Sequence, residues 1–136
     1  MAAPTADDLA RVPLLASLGA DDRARLAEQF REHEFPAGST VIREGSRGAR
    51  VLAFFLIADG NASVLRNGDR KASLGPGDYF GEIALLRDVP RTATVVADTD
   101  LRCFAISAWE FKPFVEERPH VAWALLENLA ERLPPG

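Results

Sequence analysis

The sequence predicts a mainly β fold, an antiparallel β-roll of jelly-roll type flanked by N-terminal and C-terminal helices. Two observations carry this. Apolar residues recur at helical spacing before residue 32 and again after residue 107, with short apolar or alternating runs between. Within that middle stretch Gly38, Gly45, Gly48, Gly60, Gly68, Gly75, Gly77 and Gly81 recur at close intervals. Frequent glycines cut a chain into short strands, whereas a 3.6-residue apolar period keeps one face of a helix dry.

Element by element, Ala6 to Arg11 reads as a short helix with an acidic entry. Asp21 to Arg31 reads as a second helix, with Leu26, Ala27 and Phe30 on one face; Pro13 and Gly19 separate the two. Strands follow at Glu32 to Phe35, Thr40 to Arg43, Val51 to Ala58, Asn61 to Arg66, Arg70 to Leu74, Ala93 to Ala97 and Leu101 to Ser107. Asn67-Gly68 is a hairpin signal, because both residues tolerate positive φ. Helical spacing returns with Trp109, Phe111, Phe114 and Val115, then with Val121, Ala124, Leu125 and Leu129, and Pro119 marks the break between these segments. Ser17 and Ser107 stand where an N-cap side chain would serve.

Composition bounds the function. The 136 residues, 47% hydrophobic with 8 Phe and 2 Trp, suffice for the core of one domain. A formal net charge of −4 without a Lys/Arg-rich run argues against direct nucleic-acid binding. The single cysteine, Cys103, cannot form a disulfide framework or a Cys-based zinc site within one chain. No apolar stretch approaches the about 20 residues of a membrane span, and the acidic start does not resemble a signal peptide. The expectation is therefore a cytoplasmic protein without membrane insertion.

The informative stretch is Gly75 to Ala97, GPGDYFGEIALLRDVPRTATVVA. Gly77 and Gly81 allow tight turns, and Glu82 to Leu86 can form one helical turn whose first amides lack partners, an arrangement suited to an anion. Pro90 sets the approach to Arg91, whose planar fork grips a phosphate. Glu82, an acceptor when ionised, needs donors beside a phosphate, and a sugar hydroxyl supplies one. Together these residues describe a ribose phosphate site. The structural alternative is a Glu82–Arg91 salt bridge with no ligand.

Phe80 to Val95, FGEIALLRDVPRTATV, resembles the phosphate-binding cassette of the cyclic-nucleotide-binding domain family. That family includes catabolite activator proteins, kinase regulatory subunits and gated ion channels. Val41 to Gly45, Phe54 to Val64 and the Gly75 to Asp78 turn extend the likeness. The resemblance implies one domain over residues 1–136, with N-terminal helices at 1–31, a roll at 32–107 holding the cassette at 80–95, and C-terminal helices at 108–133.

It also implies a site of Gly81, Glu82, Ile83, Ala84, Arg91 and Thr92. Glu82 would take the ribose 2′-hydroxyl, the Ile83 and Ala84 amides with Arg91 the cyclic phosphate, and Thr92 the phosphate or base. The last helix would cover the base, and Trp123 and Leu126 are candidates for that role, although such residues more commonly pack in a core. Two departures stand out. The link Arg47 to Ala53 is about two residues longer than the family's, and the chain ends at Gly136 without the long dimerisation helix and helix-turn-helix of the transcription factors.

The expected function is non-catalytic sensing of a purine 3′,5′-cyclic monophosphate, with cyclic AMP favoured over cyclic GMP, no cofactor and no metal. A protein partner or fused output domain would read the signal. One alternative is a degenerate domain of the same fold that mediates assembly. Another is a cupin-like metalloenzyme, which would need clustered His and carboxylate ligands, whereas His33 and His120 are far apart in the sequence. Arg43, Arg47 and Arg50 read as a solvated rim.

Overall fold

The computed structural model describes residues 4–47, 52–131 and 133–134. Helices α1 (Ala6–Ala10) and α2 (Ala20–Ala27) come first, followed by β1 (Arg31–Phe35), β2 (Thr40–Ile42), β3 (Leu52–Asp59), β4 (Ala62–Arg66), β5 (Asp69–Leu74) and β6 (Tyr79–Phe80). A 3-10 turn at Glu82–Leu85 leads to β7 (Thr94–Ala97), β8 (Leu101–Ser107), α3 (Ala108–Glu116) and α4 (Pro119–Glu131). The strands form two four-stranded antiparallel sheets, ordered β1-β8-β3-β6 and β2-β7-β4-β5.

The uninterrupted apolar run of β3 follows from burial on both faces. Phe54 and Leu56, with Phe104 and Ile106 of the neighbouring β8, face the helices and meet Leu9, Leu15, Leu26, Phe111 and Leu125. Phe55 and Ile57, with Cys103 and Ala105, turn inward to meet Ile42, Ala62, Val95 and Ala97. The period-2 geometry of a strand thus serves two cores from one sheet. The predicted β-roll flanked by helices is the observed fold.

Several boundaries differ from the sequence reading. The helix expected to reach Arg31 ends at Ala27, because Arg31 joins the β1–β8 ladder opposite Ala105. Its guanidinium donates to the carbonyls of Glu28 and Phe30, which satisfies groups freed where the helix stops. Ser17 is no N-cap: Gly19 holds that position without a side-chain bond, and the Ser17 hydroxyl donates to the Ala124 carbonyl. Thr5 and Ser107, by contrast, each form a reciprocal capping box, with Asp8 and Glu110 respectively. The hairpin turn is as expected, with φ of 52° at Asn67 and 83° at Gly68. The expected strand start at Val51, Arg50 of the expected rim, and much of the lengthened 47–53 link lie outside the described residues.

Candidate functional site

The turn before the candidate site is pinned to β3. The Gly75 amide donates to the Asp78 carboxylate at 2.8 Å. The Gly77 amide donates to the Ile57 carbonyl at 2.9 Å, and the Ile57 amide to the Asp78 carbonyl at 2.9 Å. Tyr79 and Phe80 then pair with Leu56 and Phe55 as β6, and the Phe80 ring stacks on Phe55 at 4.8 Å. Sequence reasoning missed this strand, since two residues show no alternation.

Gly81 follows with φ of 86°, and a Cβ there would lie 2.1 Å from the Ala53 carbonyl oxygen and 3.1 Å from Arg91 Nη1. Only glycine permits this approach of three elements. The 3-10 turn opens directly after it, anchored by buried Leu85.

Arg91 reaches the same point from the other side. Its Nη2 donates to the Leu52 and Ala53 carbonyls, each at 3.0 Å, and burial lowers its pKa from the ordinary arginine value. No carboxylate pairs with it among the described residues. Glu82, half-buried at the head of the turn, likewise has no hydrogen-bond or ion-pair partner among them. The two residues are thus not a mutual salt bridge. A desolvated cation with only neutral acceptors is incompletely compensated, a state that favours an anion nearby.

Arg91 borders two cavities. One, of about 700 Å³, lies between the turn and α3 and is lined by Ala84, Leu85, Trp109 and Phe111 among others. The second, of about 280 Å³, is bounded by Phe35, Val41, Leu52 and Phe55. Of the residues singled out in the sequence, Arg91 lines both openings and Ala84 the larger one, while Gly81 lines neither and lies against the Arg91 guanidinium. Glu82 and Thr92 line neither cavity. Thr92 is exposed, and its carbonyl accepts from Arg66 Nε at 3.1 Å. Ile83 is exposed, and the Ala84 amide donates to the Gly81 carbonyl at 3.1 Å, closing the first turn.

The last helix sits elsewhere. Val121 and Leu125 of α4 are buried with the N-terminal leucines, Asn128 Nδ2 donates to the Pro13 carbonyl at 2.7 Å, and His120 Nε2 lies 2.8 Å from an Asp22 carboxylate oxygen. Trp123 and Leu126 are 65% and 57% exposed and line neither cavity. Among the described residues no group of three or more His, Cys, Asp or Glu side chains is placed to hold a metal ion, and no helix is long and apolar enough to cross a membrane.

Two antiparallel sheets backed by helices, with a glycine-led turn and an arginine converging beside a cavity, define the β-roll class of ligand-binding modules. The family model described as the cyclic nucleotide-binding domain matches residues 32–118, and the chain belongs to that family. It is similar to the cAMP-dependent protein kinase regulatory subunit of Aspergillus niger, 43% identical over 106 residues that make up 76% of this chain and 25% of the relative. It is 46% identical to the corresponding subunit of Eremothecium gossypii over 97 residues, 71% of this chain and 20% of that one. The chain thus spans about a quarter of the length of the curated relatives it matches. Among solved structures, the N-terminal domain of a transcriptional regulator from Streptomyces coelicolor A3(2) superposes with a TM-score of 0.80 at 33% identity, covering 93% of this chain and 91% of that one.

Proposed function

We propose that the chain binds a purine 3′,5′-cyclic monophosphate, cyclic AMP in preference to cyclic GMP, and releases it unchanged as a regulatory module. The observation that carries this is Arg91, a half-buried guanidinium without a carboxylate partner among the described residues, held by two carbonyls against the glycine that opens the 3-10 turn. The cyclic phosphate would sit between Arg91 and the turn, meeting the Ile83 amide and sharing the Ala84 amide with the Gly81 carbonyl. Glu82 would accept the ribose 2′-hydroxyl, and Thr92 is a further candidate for phosphate or base. The naming of the fungal relatives as cAMP-dependent supports cyclic AMP. We read the chain as one nucleotide-binding unit whose C-terminal helices report occupancy to a protein partner or a fused domain, in a cytoplasmic setting.

Calorimetric titration with cyclic AMP, cyclic GMP and 5′-AMP tests this. Saturable binding of cyclic AMP at micromolar or lower concentration, tighter than cyclic GMP and absent for 5′-AMP, is expected. Arg91→Ala should weaken it by tens to thousands of fold, since it removes a desolvated charge-assisted contact worth about 2–5 kcal/mol. Failure of folded wild-type protein to bind either cyclic nucleotide would overturn the reading in favour of an assembly domain.

A further inference from the structure

The sequence placed Arg47 with a solvated rim, but the backbone puts it at the candidate site. Gly45 adopts φ of 87°, and both the Ser46 amide and its hydroxyl donate to the Arg43 carbonyl, at 3.1 and 2.6 Å. The Gly45 amide donates to the Arg91 carbonyl and the Arg91 amide to the Ser46 carbonyl, both at 2.8 Å. This reciprocal pair clamps residues 45 and 46 to residue 91, so the next residue emerges beside the arginine. Arg47 accordingly lines both cavities that Arg91 lines.

Its charge is unanswered there. Arg47 forms no ion pair or side-chain hydrogen bond among the described residues, and the nearest acid in sequence, Glu44, has its carboxylate bonded to the Asn67 amide at 3.0 Å. Of the other charged residues lining the larger cavity, Arg87 and Lys112 are basic, and Asp88 and Glu116 acidic. Arg43 borders the smaller one. Cations therefore outnumber carboxylates around the openings that Arg91 and Arg47 share, and two guanidinium groups at one wall without a paired carboxylate repel each other until an anion arrives.

We propose that Arg47 is a second guanidinium for the same ligand, an exposed group that draws the nucleotide phosphate to the opening where Arg91 then holds it. This rests on the reading of the site as a cyclic-nucleotide pocket. An exposed cation at the rim of a cleft acts mainly on encounter, whereas a desolvated one acts on retention. The two arginines thus have separate roles, Arg47 setting the association rate and its salt dependence and Arg91 the dissociation rate.

Stopped-flow binding of a fluorescent cyclic AMP analogue separates these roles. Arg47→Gln should slow association about three- to tenfold at about 50 mM salt, leave dissociation near the wild-type rate, and flatten the loss of association rate between about 50 and 500 mM salt. Arg47→Lys should restore most of the rate, since charge rather than a planar fork is at work. Equal association rates and equal salt slopes for wild type and Arg47→Gln would overturn the proposal while leaving the pocket intact. Absence of wild-type binding would remove the pocket and this role together.

Discussion

At the scale of single residues, the candidate site depends on one backbone conformation. Gly81 sits at φ of 86° with the Ala53 carbonyl where a side chain would begin. Gly81→Ala should cost about 1–3 kcal/mol through left-handed strain, and more where the carbonyl must shift. Urea unfolding measures the loss; a variant as stable as wild type would show that the turn relaxes freely. Glycine, glutamate and arginine were legible here because each is chemically distinctive and they stand close in sequence. Arg47 was not, because its nearness to Arg91 arises from two backbone bonds between segments that are distant in sequence, and its neighbours spell no motif.

At the scale of elements, α4 is held on the N-terminal segment by buried Val121 and Leu125 and by polar bonds from Asn128 and Ser17 and to Asp22. Asn128→Ala removes the 2.7 Å bond to the Pro13 carbonyl and should lower stability by about 1 kcal/mol. It should also raise hydrogen exchange within α4, with the β3–β8 ladder unchanged. Exchange that rises equally in the strands would show that the helix is not a separate unit. The helix itself was readable from the spacing of its apolar residues. Where it docks was not, since one apolar face fits any complementary surface and only the positions of α1 and α2 select it. β6 escaped for a related reason: two residues become a strand only when β3 supplies partners.

For the whole molecule, the two cores meet across β3 and β8, and Cys103 lies between the sheets with no exposed surface. Burial pushes its thiol pKa up to about 12. A thiol reagent should therefore react with native protein only through opening of the roll, at a rate that follows unfolding with denaturant. The pH dependence has a definite sign. Above about pH 8.5 the unfolded thiol loses its proton while the folded one retains it, so this group lowers stability progressively as pH rises toward its folded value. Fast labelling of native protein at neutral pH would contradict a closed inner core.

The sequence by itself determined the alternation of helical and strand periods and the glycine-led turn, and it singled out Glu82 and Arg91 as candidates for binding a ligand. These are local properties, set by side-chain chemistry and by which backbone angles each residue tolerates. Tertiary structure alone decided that Glu82 and Arg91 remain unpaired with each other, that Arg47 joins the wall beside Arg91, and that α4 rests on the N-terminal segment rather than over a cavity. Such outcomes depend on long-range hydrogen bonds and on competition among apolar faces for the same core, which no stretch of sequence records on its own.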